Sequence, residues 1–226
     1  MLKRLLITTT FVAAVVLGSV GGRMQYARVH PSHPPNVVQV RASHMLSFLD
    51  KDEETATICS STVIARHALL TAQHCNMGKD ESKTIRIDRS ARVYNLLAAS
   101  YDSRDHVIYL VDGPAFQDIC PYVTRLPKIG EPVFVEGFGE EVYPAVQKAG
   151  KVVKVYDPSE VDAGQQMFFF TNAVIHGDSG AAVFSLDGSL LGVVTWHMDG
   201  GGSGYALDYP PEIIRYAKAF EGKDSE

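Results

Sequence analysis

Thr71-Ala72-Gln73-His74-Cys75, answered late in the chain by Gly177-Asp178-Ser179-Gly180, is the stretch on which the reading of this sequence turns. A serine hydroxyl is a weak nucleophile at its free pKa. It needs an imidazole within hydrogen-bond reach to take its proton, and a carboxylate to hold that imidazole in the right tautomer. His74 is the candidate base and Ser179 the candidate nucleophile. The glycines around Ser179 let the backbone turn so that the N–H groups of Gly177 and Ser179 can point at one developing oxyanion. A Gly-Asp-Ser-Gly tetrapeptide is by itself often only a turn, so its weight depends on what surrounds it.

Working outward from His74, the apolar run at 68–71 ends in the turn that delivers the histidine. The same rhythm of short apolar runs and turn signals recurs along the chain. It predicts antiparallel strands at 45–49, 56–64, 68–71, 84–87, 94–99 and 107–111, and again at 132–137, 150–156, 167–171, 181–185, 190–196 and 204–207. Two groups of about six strands, joined across 120–130, predict an all-β chain: two packed six-stranded antiparallel β-barrels, about 37–122 and 130–209. Only the end argues for helix. Pro210-Pro211-Glu212 opens it, and Ile213, Ile214, Tyr216, Ala217 and Phe220 recur at helical spacing, predicting a C-terminal α-helix at about 210–221.

Four segments in order carry a resemblance. They are Cys59-Ser60-Ser61-Thr62-Val63-Ile64, the His74 segment, the Ser179 segment, and Leu190-Leu191-Gly192-Val193-Val194-Thr195-Trp196-His197. The chain resembles the trypsin/chymotrypsin-like serine peptidases, whose triad runs histidine, aspartate, serine along the chain. The resemblance covers roughly 37–220. It implies a double β-barrel with the active site in the cleft between barrels, and a serine endopeptidase working through an acyl-enzyme on protein or peptide substrates. Asp105, opening Asp105-His106-Val107-Ile108, resembles the family's aspartate, although His106 stands where an aliphatic residue is usual. Asp102 is the reserve, and a turn-capping role suits it better. The zymogen N-terminus Ile-Val-Gly-Gly has no match here. Its nearest counterpart is Val37-Val38-Gln39-Val40, so Asp178 is expected to find a partner inside the chain.

By the same resemblance the substrate pocket draws on Ala173, His176, Thr195, Trp196, His197 and Ser203. Ala173 takes the place of trypsin's pocket-floor aspartate, and His197 replaces a glycine at the pocket mouth. A small or medium apolar P1 side chain is therefore expected. The alternative is an acidic P1 met by His176 and His197, although the histidine used by glutamyl-specific relatives would fall at Val194. Thr195 and His197 are expected to pair with the substrate backbone, and Trp196 either lines the next pocket or packs between the barrels. Asp199-Gly200-Gly201-Gly202-Ser203-Gly204 reads as a flexible loop whose glycines serve either close approach to substrate or plain mobility.

The remaining features place the chain. Met1-Leu2-Lys3-Arg4 precedes an uncharged apolar run at 5–20, so residues 1–22 read as a signal peptide or a single membrane anchor. Pro31, Pro34 and Pro35 make 23–36 a linker or pro-segment. Secreted or periplasmic residence follows, possible membrane tethering through 5–20 included, and in that setting an even subset of the three cysteines should pair. Cys59 and Cys75 flank the strand and turn that deliver His74 and are the expected disulfide; Cys120 is then a free buried thiol. With 21 Lys+Arg against 26 Asp+Glu and no basic run, nucleic acid is not an expected partner.

Eight histidines make no His-x-x-x-His or His-Glu-x-x-His pattern, and no Cys-x-x-Cys occurs, so neither metal nor cofactor is expected. An α/β-hydrolase is excluded because Ala181 stands where Gly-x-Ser-x-Gly needs glycine and the histidine comes first. The rival from another class is a non-catalytic binding protein on the same fold.

Overall fold

The structure, a computed structural model, describes residues 41–77, 82–102, 104–123, 125–156, 167–198 and 201–206. The proposed leader and linker and the expected C-terminal helix lie outside the described residues. Among the described residues, twelve strands form two closed barrels. The first comprises β1 (Ser43–Leu49), β2 (Thr55–Ala65), β3 (Ala68–Ala72), β4 (Thr84–Ile87), β5 (Val93–Tyr101) and β6 (His106–Val111). The second comprises β7 (Pro132–Gly137), β8 (Val146–Val155), β9 (Met167–Phe170), β10 (Ala182–Ser185), β11 (Leu190–Met198) and β12 (Gly201–Ala206). Every pairing is antiparallel, and each barrel closes in the same ring order: β1-β2-β3-β6-β5-β4, then β7-β8-β9-β12-β11-β10.

Alternation decides which side chains fill which space. Along β10 and β11, Val183, Leu191 and Val194 point into the second barrel with Val133, Val135, Val152, Phe168 and Phe170. Their neighbours Ala182, Phe184, Leu190 and Val193 face the other way and join the core that contains the first barrel's Leu46, Leu69, Ile108 and Tyr109. A strand buried on both faces reads as an unbroken apolar run, and the 190–194 stretch does so for that reason. The barrels thus share a largely apolar seam.

Two elements differ from expectation. Strand β8 starts at Val146, four residues before the predicted start, because its exposed, polar first half carries no apolar signal and is held by pairing with β7 from Gly137↔Val146 onward. The glycine-rich stretch expected as a loop is largely strand β12, paired on both sides with β11 and β9. There the glycines serve close approach. A Cβ on Gly201 would lie 2.0 Å from the Phe170 carbonyl oxygen, and one on Gly204 would lie 2.3 Å from that of Val193.

Candidate active site

Each of the three chemistry-bearing side chains sits just off the end of a strand. His74 lies in the 3-10 turn Gln73–Asn76 that follows β3, and that turn is anchored by the Cys59–Cys75 disulfide to β2. Asp105 immediately precedes β6, which pairs with β3 down to Ala72↔His106, so both residues emerge side by side. Ser179 comes from the loop between β9 and β10 and is tied to the first barrel where the Ser60 N–H donates to its carbonyl at 2.8 Å.

The geometry is a continuous relay. His74 Nε2 is 2.9 Å from Ser179 Oγ, and His74 Nδ1 is 2.7 Å from Asp105 Oδ2. The other oxygen, Asp105 Oδ1, accepts the His74 backbone N–H at 2.9 Å, and the Asp105 carbonyl accepts from Gln73 N–H at 2.7 Å. The carboxylate therefore grips the histidine by ring and backbone together. That bond sets Nδ1 as the protonated nitrogen and leaves the Nε2 lone pair toward the serine. Asp102 lies apart from this relay and binds His106 instead.

The loop around Ser179 is held from behind. Gly177 has φ +94° and Gly180 φ +78°, conformations that side chains resist. The His176 carbonyl accepts from Glu140 N–H at 2.8 Å, so the Gly177 N–H on the same peptide plane must point the opposite way. Likewise the Asp178 carbonyl accepts from Ala181 N–H at 2.8 Å, which turns the Ser179 N–H outward. Two donors are thereby directed away from the protein body. Ser60 Oγ adds a third brace, donating to the Gly177 carbonyl at 2.9 Å while accepting from Phe138 N–H at 3.0 Å.

Asp178, fully buried, is the keystone of this loop. Its Oδ1 accepts from Gly139 N–H and its Oδ2 from Ile175 N–H, both at 2.9 Å, and Lys148 Nζ forms an ion pair with Oδ2. The partner of Asp178 thus lies within the chain, on β8. Lys148 was not singled out from sequence, since its inward role shows only when β7 and β8 are paired.

A pocket of about 200 Å³ opens beside the relay, lined by His74, Val174, Ile175, His176, Ser179, Val194, Thr195, Trp196 and His197. Four of the expected substrate residues, His176, Thr195, Trp196 and His197, are on it; Ala173 and Ser203 are not. Ser203 is fully buried and faces Trp196 across the β11–β12 ladder, whereas the residue opposite His197 is Gly202. A Cβ on Gly202 would lie 2.5 Å from Val174 Cγ2, so Val174 fills the space beneath. Trp196 is 62% exposed, which removes the option that it packs between barrels.

Comparison with known proteins agrees with this arrangement. No curated protein is similar enough to match the chain. Among solved structures it is similar to the Rv3671c protease of M. tuberculosis in its active form, at 18% identity and a TM-score of 0.61, covering 83% of this chain and 85% of that one. An inactive serine-to-alanine mutant of the same protease aligns at 17% identity and a TM-score of 0.59, covering 85% of this chain and 98% of that one. The serine endoprotease from Yersinia pestis aligns at 17% identity and a TM-score of 0.60, over 81% of this chain and 66% of that one. At such identities these likenesses speak for the fold. Residues 59–193 match the trypsin-like peptidase domain, a span running from the first half-cystine through Ser179 to β11. The chain belongs to the trypsin-like peptidase family and is a serine peptidase.

Proposed function

We propose that the chain is an endopeptidase in which Ser179 attacks the scissile carbonyl, His74 takes its proton through Nε2, and Asp105 steadies the resulting imidazolium. The Gly177 and Ser179 N–H groups then receive the oxyanion, an acyl-enzyme forms on Ser179 Oγ, and His74 returns its proton to the leaving amine. A water activated by the same imidazole releases the product. The observation that carries this reading is the pair of contacts at 2.9 and 2.7 Å on opposite nitrogens of one histidine. The internal Lys148–Asp178 pair supports a loop that holds its shape without a newly cut N-terminus.

Peptide substrate is expected to lie along Thr195–His197. Backbone bonds from the β10 side reach β11 as far as Val194, which bonds Ala181 and Gly180, while β11 runs on to Met198, leaving the edge beyond Val194 for an incoming strand. For P1 we favour a small or medium apolar side chain, since Val174, Ile175 and Val194 supply the pocket's apolar wall and, among the described residues, no Asp, Glu, Lys or Arg lines it. An acidic P1 is the second reading, because His176 and His197 line the same pocket. The disulfide and the apolar N-terminal run support an exported protein, secreted or periplasmic, with residues 5–20 as a possible tether.

Cleavage of a peptide library by the purified protein tests all of this. Ser179-dependent cutting after Ala, Val or Leu is the expected result, and strong cutting after Glu would move the assignment to the acidic pocket. Cleavage after Lys or Arg would overturn both pockets. No labelling by a fluorophosphonate probe, with no cleavage, would instead make the chain a binding protein on a peptidase fold.

A further inference from the structure

Directly behind Asp105 sits a second histidine–carboxylate pair, and it takes no part in the relay. His106 is fully buried, and its Nδ1 is 2.8 Å from Asp102 Oδ2. The other oxygen, Asp102 Oδ1, accepts two backbone N–H groups, from Arg104 at 2.8 Å and from His106 at 3.0 Å. Those are the residues on either side of Asp105. The Asp102 N–H in turn donates to the His106 carbonyl at 3.2 Å.

Asp105 itself has φ +59°, a left-handed conformation that a non-glycine residue resists and that persists only where the surroundings impose it. Asp102 binds the amide before Asp105 and the amide after it through a single oxygen. Burial works against ionisation of Asp102, but the His106 ring and the two N–H groups outweigh it and hold the carboxyl below its ordinary range. An ionised carboxylate only accepts, so the hydrogen shared with His106 belongs to the ring's Nδ1.

We propose that Asp102 and His106 form a positioning unit that locks Asp105 in the left-handed conformation needed to grip His74. It acts on the reaction through Asp105 without touching substrate. An aliphatic residue at 106 could fill the buried space but leave Asp102 Oδ2 without its ring donor, loosening the carboxylate that sets Asp105.

This inference rests on the peptidase reading, and kinetics on the full chain separate the two. The substrate is the best peptide from the wild-type cleavage profile, with rates corrected for the folded fraction by circular dichroism. The test uses three variants. His106→Asn places an amide N–H near the position of Nδ1, His106→Gln places it near that of Nε2, and His106→Leu has none. Expected are a kcat within about threefold of wild type for His106→Asn, and a kcat lowered tenfold or more for His106→Gln and His106→Leu. KM should stay within about twofold throughout, because the pocket is untouched. Should His106→Leu fail to fold, the Asn and Gln pair decides alone. Equal kcat for Asn and Gln, or a loss falling on KM, would overturn the positioning role while leaving the peptidase reading intact. A wild-type chain without Ser179-dependent cleavage would remove both.

Discussion

Ser60 and Lys148 work on the nucleophile from opposite sides, and neither touches it with its side chain. Removing the Ser60 hydroxyl leaves the Phe138 N–H and the Gly177 carbonyl, both buried in that brace, each short of a partner; such a loss costs about 1–3 kcal/mol. Ser60→Ala should therefore lower both stability and kcat, the latter because Gly177 is freed to tilt; loss of an oxyanion donor costs 10²–10³-fold, so an intermediate drop of about tenfold is expected. Lys148→Met is more severe, because it strands the fully buried Asp178 charge. Breaking a buried pair typically costs about 3–5 kcal/mol, and the partial exposure of Lys148 places the expectation at the lower end. Urea unfolding and steady-state kinetics on the two variants check this; a Lys148→Met protein of wild-type stability and rate would show that the loop does not depend on the pair. His74 and Ser179 were legible in the motifs around them, and Asp105 only through the resemblance those motifs carry. Ser60 and Lys148 were not, since what gives each its role is a contact with a distant segment of the chain.

At the scale of elements, the apolar runs announced all twelve strands, and the errors fell where pairing rather than pattern makes the strand. Strand β12 is the instructive case. Its glycines read as close approach to substrate or mobility, yet a hydrogen-bonded ladder on each side and approaches to the protein's own backbone too close for a Cβ make them structural. Gly201→Ala should destabilise the second barrel by about 1–3 kcal/mol, the range for overpacking, because the methyl would meet the Phe170 carbonyl. Unchanged thermal stability would return the segment to the status of a loop. In the first barrel, the Cys59–Cys75 bridge closes a loop of 16 residues in sequence separation. On the chain-entropy argument it contributes about 3 kcal/mol. Because Cys75 is also the residue after His74, reduction should weaken catalysis before it unfolds the barrel. Kinetics with and without a dithiol, read against urea midpoints, test that order.

The molecule as a whole is two copies of one ring topology pressed together, and the seam between them holds a carboxylate that the peptidase chemistry does not use. On β7, Val133 and Val135 face into the second barrel, so Phe134 and Glu136 face the other way, toward the first. Glu136 is 2% exposed, with Cys120 nearby and with the Ser43 side chain of β1 and the Gln147 side chain of β8 as its polar neighbours. Burial pushes its carboxyl up to about 7, and the pair raises the Cys120 thiol to about 12, chiefly through burial and then through repulsion from Glu136. The sign for folding follows directly. Between the ordinary carboxylate pKa and about 7 the folded chain keeps a proton that the unfolded chain has lost, so stability falls as pH rises across that window. The full loss is roughly 3 kcal/mol at pH 8, at 1.4 kcal/mol for each pH unit of displacement. Glu136→Gln carries no charge to bury at any pH. It should match wild type near pH 4.5 and exceed it by about 2–3 kcal/mol at pH 8, measured by urea unfolding at both. A variant no more stable than wild type at pH 8 would mean that the seam admits water to the carboxylate, and that the two barrels meet less tightly there than their shared apolar core implies.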